Sequence, residues 1–220
     1  FNEIMSNPAK YPLMTSNADN GRLSYYDITG NQYPYFNNNS MKTDYYLDVS
    51  FVTMLQDLKD PRLFVFGKPT PSSNGAVMDF DSYDGLSGSA PLAENTAKRG
   101  AGNASQINDR YAYTAINEPS LLFSYAELQF ILAEAVVRGL ISGDASTYYS
   151  NGIKASMEFS NYNNTYSEQL MNTYIASSEV ALEAGREIEQ IITQKYISMF
   201  MNTGWQPFYE QRRTGYPAFD

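Results

Sequence analysis

The chain has 220 residues, 15 Lys and Arg against 24 Asp and Glu, a formal net charge of -9, and neither histidine nor cysteine. Without those two residue types there is no Ser-His-Asp or Cys-His nucleophile system, no Cys/His zinc site, no iron–sulfur cluster and no disulfide framework. The acidic balance also argues against nucleic acid and against an anionic membrane surface, both of which call for a basic face.

Charged residues make up 18% of the chain, below the roughly 25% of an ordinary soluble domain, whereas aromatic residues reach 15%, with 19 Tyr and 12 Phe. Tyrosine joins an apolar ring to a polar tip, so this composition fits either a large aromatic core with polar loops or a surface for a polar ligand. No apolar run of ~18 residues occurs, and nothing in the chain reads as a membrane span.

Residues 1 to about 119 are rich in Asn, Gly, Pro, Ser and Tyr, with turn signals at Asn7-Pro8, Asn20-Gly21, Tyr33-Pro34, Asn74-Gly75 and Asp84-Gly85. One helical pattern stands out there, over about 44–58, with Tyr45, Leu47, Val52 and Leu55 near helical spacing before Asp60-Pro61 stops it. The rest reads as long ordered loops with short strands, since their aromatic content argues against disorder.

From Pro119 the pattern turns helical. Ser120 is the expected N-cap of a helix running to Arg138, with Gly139 at C′. Leu122, Tyr125, Ala126, Gln129, Leu132, Ala133 and Val136 share one face, Phe123, Phe130 and Val137 form a second stripe, and Glu127, Glu134 and Arg138 take the remaining side. Further helices are expected over about 145–159, over 186–201 with a break at Asn202-Thr203-Gly204, and over 205–213. Leu132-Ala133 followed by Ala145, Tyr149 and Gly152 reproduces the large and small spacing of a tetratricopeptide hairpin. The fold class expected is therefore mainly α, with tetratricopeptide-like helical hairpins, long ordered loops and few short strands.

Five segments then carry a likeness to a known family. They are Lys59-Asp60-Pro61-Arg62-Leu63, Tyr83-Asp84-Gly85-Leu86-Ser87-Gly88, the helix Ser124 to Ala135 followed by Arg138-Gly139, Gln190 to Ile197 with its Gln194-Lys195-Tyr196, and Arg212-Arg213-Thr214-Gly215-Tyr216-Pro217. In this order they resemble the SusD/RagB-like outer-membrane nutrient-binding lipoproteins. The resemblance implies a surface-exposed lipoprotein of a Gram-negative bacterium that captures oligosaccharides or other nutrients for a SusC-like TonB-dependent transporter. It implies no catalysis and no cofactor. It also implies a protein of about twice this length, with a lipidated cysteine upstream of Phe1 as its only membrane attachment and more chain beyond Asp220. Residues 1–119 and 120–220 would together be part of one SusD-like domain. Within the motifs, Asp60, Arg62, Glu127, Glu134, Lys195, Arg212 and Arg213 are expected to be structural.

Sugar recognition needs flat apolar faces for the pyranose C–H surface and amides or carboxylates for the hydroxyls. The segment from Tyr25 to Asn39 offers both, and Tyr25, Tyr26, Asn31, Tyr33, Tyr35 and Asn37 are its candidate ligand contacts, set in a loop as binding residues commonly are. The competing reading is that these aromatics pin a long loop to the scaffold. Trp205, the only tryptophan, reads first as a packing anchor between helices and second as a ligand contact.

Glu127 and Glu134 stand about 10.5 Å apart along one helix, beyond the ~5–9.5 Å of glycosidase carboxylate pairs. Glu134 is expected to pair with Arg138 at i,i+4, and the family resemblance implies that Glu127 meets Arg212 or Arg213. Asp79, Asp81 and Asp84 are weak candidates for a hard cation, because their spacing departs from the EF-hand pattern. A tetratricopeptide-like protein adaptor and a carboxylate-dependent glycosidase remain the alternatives to a glycan-binding protein.

Overall fold

A computed structural model of the chain describes residues 2–75, 77–116, 118–202 and 204–219. In chain order its α-helices are Asn2–Ser6 (α1), Asn39–Thr43 (α2), Val49–Asp57 (α3), Leu63–Phe66 (α4), Leu92–Gly100 (α5), Tyr125–Val137 (α6), Ala145–Ser160 (α7), Glu168–Ile175 (α8), Glu187–Ser198 (α9) and Gln206–Thr214 (α10). Gly21–Leu23 (β1) and Ser120–Phe123 (β2) pair antiparallel. The mainly α fold class expected from the sequence is the one observed. No helix among the described residues is long and apolar enough to cross a membrane. The expected helix break includes Thr203, which lies outside the described residues, as do Phe1 and Asp220.

The chain forms two compact units, one of Phe1–Leu23, Ser120–Phe159 and Met171–Asp220, the other of Ser24–Pro119 and Ser160–Leu170.

The first unit is built on α6. Its N-cap is Ser124, not Ser120: the Ser124 hydroxyl accepts from the Glu127 N–H. The four residues before it form β2, in which Leu121 is buried and Leu122 is 79% exposed. Leu122 therefore takes no part in the helix face assigned to it. Alternation over a short apolar run is a strand signal that helical spacing mimics. At the other end Gly139 sits at φ 69°, the left-handed C′ expected.

Phe130 and Ala133 are fully buried, and Glu127, Gln129 and Glu134 are buried as well, so the polar side of α6 does not face water. One flank lies along α9, whose Ile191, Ile192 and Ile197 are buried. On another, Phe130 reaches α7 at the one residue without a side chain. A Cβ on Gly152 would stand 2.8 Å from the Phe130 ring, whose edge also meets Tyr149 at 6.3 Å between centroids. This is the large-against-small contact of a helical hairpin. Asn17 and Asn20 tie the amino-terminal segment to the same helices, Asn17 Nδ2 donating to the Ala155 carbonyl and Asn20 Oδ1 accepting the otherwise unpaired Tyr125 N–H.

The second unit holds the loop-rich part of the chain. The helix expected over 44–58 is α3, starting only at Val49 behind the Asp48 cap. Residues before it are extended, because Tyr46 pairs with Gln106 and Asp48 with Leu86. After α3 the sequence Asp60-Pro61-Arg62 leads into α4, every residue of which is buried. Asp60 and Arg62 are themselves fully buried and joined through Nε at 2.9 Å. An apolar helix and an ion pair thus form one core.

Candidate functional site

The Ser24–Asn38 segment folds back through backbone bonds from Tyr26 N–H to the Asn31 carbonyl (2.9 Å) and from Asn31 N–H to the Ile28 carbonyl (2.8 Å). Gly30 makes the turn at φ 89°, where a side chain is strained. Tyr33 then plunges inward and is only 4% exposed. Its N–H donates to the Ala115 carbonyl, and the edges of Tyr25 and Tyr35 meet its ring at 5.5 and 5.4 Å. Burial, reinforced by the Glu118 charge, pushes the Tyr33 hydroxyl well above the usual tyrosine range. Tyr33 is thus the anchor of the loop rather than a ligand contact, and for this residue the pinning role is the one observed.

Beneath the anchor lies a buried ion pair. Arg110 Nε donates to Glu118 at 2.6 Å, a second guanidinium nitrogen donates to the Ser160 carbonyl, and the Tyr111 and Tyr162 rings lie 5.1 and 4.9 Å from the guanidinium. A charge this enclosed has its donors committed, which holds the floor of the loop rigid.

The exposed side is the converse. Tyr26 is 64% and Tyr35 40% exposed, Tyr25 is half-buried, and Asn31 and Asn37 face solvent. Polar groups line the same loop: Gln32 donates to Asp27 at 2.7 Å, and Asn37 reaches the Gln32 carbonyl oxygen at 3.4 Å. Phe36 carries the Lys42 ammonium over its face at 5.2 Å, and the same ammonium lies 5.4 Å from the exposed Tyr113 ring. Exposed ring faces beside a carboxylate and two amides can stack on a sugar and bond to its hydroxyls. Lys42 and Tyr113 are additions to the expected set. A hint of Tyr113 lies in Tyr111-Ala112-Tyr113, where alternate residues go in and out; its partnership with Lys42, 71 positions away, left no local trace.

Trp205 differs from expectation. It is 72% exposed at the start of α10 in the first unit, with its edge on Phe208, so it anchors no packing between helices. Asp79, Asp81 and Asp84 do not converge. Asp79 caps its own turn, accepting from Asp81 N–H and Ser82 Oγ, while Asp84 is paired with Lys98 at 2.6 Å. Among the described residues no group of three acidic side chains is placed to hold a metal ion.

The carboxylates of α6 are occupied by cations. Glu134 accepts from Arg138 at 2.7 Å, as expected, and from Arg213 at 2.6 and 2.8 Å. The expected partnership of Arg213 with Glu127 is therefore corrected to Glu134. Glu127 instead faces Lys195 at 3.8 Å, Lys195 faces Glu210 at 3.6 Å, and Arg213 also holds Glu210. Arg212 points elsewhere, its guanidinium 5.9 Å from the Phe208 ring. Register decides this arrangement: Arg213 meets Glu210 one turn back on α10 while reaching across to α6.

Burial alone would raise the Glu134 pKa, but the hydrogen bonds from Arg213 and Arg138 outweigh it and hold it below its ordinary 4.5. A depressed carboxylate stabilises the fold above its unfolded pKa and ceases to do so as pH falls through the folded one. Glu134→Gln is accordingly expected to lower stability by about 2 kcal/mol at pH 7. The gap from wild type should shrink as pH drops below 4.5. Urea denaturation of both proteins at a series of pH values checks this; a gap independent of pH would contradict it.

Compared with known proteins, the whole chain, residues 1–220, matches the family model SusD-like_2, described as starch-binding associating with outer membrane. Among solved structures it superposes on an outer membrane protein of Bacteroides vulgatus ATCC 8482 that its description connects with nutrient binding. The TM-score is 0.88 and the identity 39%, over 96% of this chain and 49% of that one. A SusD homolog from Bacteroides fragilis NCTC 9343 gives 0.84 and 42%, over 95% and 48%. A chitin-binding protein gives 0.76 and 27%, over 96% and 46%. The chain thus spans about half the length of these relatives. No curated protein matches it.

Proposed function

Since this chain belongs to the SusD-like family, whose model is described as starch-binding associating with outer membrane, we propose that it captures oligosaccharides at the cell surface by stacking and hydrogen bonding, without turning them over. The observation that carries this reading is the loop of the second unit, where Tyr26 and Tyr35 are exposed beside Asp27, Gln32 and Asn37 while Tyr33 fixes them from below. Large rings held on a rigid support bind with little loss of side-chain freedom. The chitin-binding relative makes β-linked amino sugars one class to try first. In this reading the captured glycan passes to a SusC-like transporter, and a lipid anchor upstream of Phe1 keeps the protein at the outer membrane.

Isothermal titration of the intact protein against maltohexaose, chitohexaose, xylohexaose and mannan oligosaccharides tests the proposal. At least one is expected to bind without release of new reducing ends. Tyr26→Ala/Tyr35→Ala should weaken it by at least tenfold, about 1.4 kcal/mol, with the fold retained and stability lowered by no more than about 1.5 kcal/mol, the worth of the Tyr35 contact with Tyr33. Binding unaltered by the double variant would overturn the assignment of the loop. Sustained release of reducing ends would favour a glycosidase.

A further inference from the structure

In the same unit a pocket of about 410 Å³ is lined by Tyr46, Lys68, Pro69, Pro71, Arg99 and Gln106. Its volume lies within the range of small-ligand sites. The walls are tied by backbone bonds. Lys68 N–H donates to the Gln106 carbonyl at 2.8 Å, Gly67 bridges Ile107, and Ser72 N–H donates to the Gly102 carbonyl at 3.1 Å. A Cβ on Gly102, which sits at φ 74°, would come within 3.2 Å of Pro71. The missing side chain lets the two walls close on each other.

Two proline rings give this pocket apolar surface and two cations give it charge. Lys68 is 2.8 Å from Asp109 and Arg99 is 3.5 Å from Asp44, and all four side chains are between 33% and 60% exposed. Pairs this exposed are weak and screened by salt, so an incoming anion can compete with Asp109 and Asp44 for the two cations. The Arg99 guanidinium lies 5.6 Å from the Tyr46 ring centroid, which fixes its position. A planar guanidinium and an ammonium lining one pocket suit a carboxylate, which takes two parallel bonds from the first and a charge from the second. The overall charge of -9 does not preclude this, because its field is screened beyond ~8 Å at physiological salt.

We propose that this pocket seats a carboxylate-bearing sugar unit, a uronic acid, of the captured glycan. The inference rests on the glycan-capture reading and deepens it by naming an acidic substrate class. The two sites are linked by a short stretch of chain. Lys42, under Phe36 and Tyr113, is four residues from Tyr46, a span of at most ~14 Å, and Tyr45 between them is 47% exposed. That keeps the Lys42 backbone, next to the tyrosine loop, within this distance of the pocket wall at Tyr46.

The test is titration of the intact protein, at low salt, with glucuronate-, galacturonate- and mannuronate-containing oligosaccharides, each against its carboxyl-reduced counterpart. At least one acidic member is expected to bind tenfold or more tighter than its reduced form. That preference should disappear in Lys68→Gln/Arg99→Gln and weaken steeply as salt is raised, while binding of the reduced form stays the same. Acidic and reduced forms of equal affinity in all three pairs, or a preference that survives the double variant, would overturn the pocket. Neutral-glycan binding with no acid preference rejects the pocket alone, whereas no binding of any oligosaccharide rejects the underlying capture reading as well.

Discussion

Asp60→Ala is expected to destabilise the protein by about 3–5 kcal/mol, the usual penalty when one partner of a buried ion pair is removed. Asp60 and Arg62 are both fully buried, and the Asp60 carboxylate accepts from the Arg62 backbone N–H at 2.9 Å and from its Nε at 2.9 and 3.1 Å. Removing the carboxylate takes from a fully buried guanidinium the group that accepts from its Nε. Tyr166, in the same unit, has its hydroxyl pushed up to about 12, chiefly by burial, so it supplies no negative charge in compensation. The paired replacement of both residues by apolar ones of similar volume should be milder than the single change, because no charge is then stranded. Urea denaturation followed by circular dichroism gives both numbers. A loss below about 1 kcal/mol for Asp60→Ala would mean that the pair is solvated in solution.

Gly85→Ala is the second large effect expected. A Cβ there would run into the backbone of Asp48 and Val49. Those atoms cannot rotate away, since Val49 N–H donates to the Leu86 carbonyl and Leu86 N–H to the Leu47 carbonyl. Overpacking against side chains costs about 1–3 kcal/mol, and against paired backbone the cost should reach the top of that range or pass it. Gly88, three residues on, is the internal control. A Cβ there meets only Asp48 Oδ2 at 3.6 Å, and Gly88→Ala should change stability by no more than about 0.5 kcal/mol. Equal effects from the two substitutions would show that the close approach at Gly85 relaxes at little cost.

These two positions belong to motifs that were legible in the sequence. Asp60-Pro61 reads as a helix stop and Asp84-Gly85 as a turn, the family resemblance picks out both segments, and in the structure the first holds a buried ion pair and the second a glycine facing backbone. The helices with an apolar stripe, α6, α7 and α9, were legible from that stripe. The polar α5 was not, since Leu92 and two alanines are its only apolar side chains and none of its residues is buried. Nor was α8, where only Met171 and Tyr174 are buried over eight residues. The start of α6 was misplaced by four residues because Ser120 and Ser124 are equally good caps by type, and only the pairing with Gly21–Leu23 makes the first a strand residue.

The candidate site was legible as a segment but not residue by residue. Composition marks Tyr25 to Asn39 as rich in rings and amides, yet nothing local distinguishes the buried Tyr33 from the exposed Tyr26 and Tyr35. That choice is made by Ala115 and Glu118, some eighty residues later. The same holds for Arg213, whose pairing with Glu134 rather than Glu127 depends on how α10 meets α6.

The most direct test of glycan capture by the tyrosine loop is a crystal structure of the intact protein with the tightest-binding oligosaccharide of the titration panel. A sugar ring is expected against Tyr26 or Tyr35, with its hydroxyls bonded to Asp27, Gln32 or Asn37. A glycan bound instead on the exposed face of Trp205, Phe208 and Tyr209, with the Ser24–Asn38 loop empty, would contradict the account.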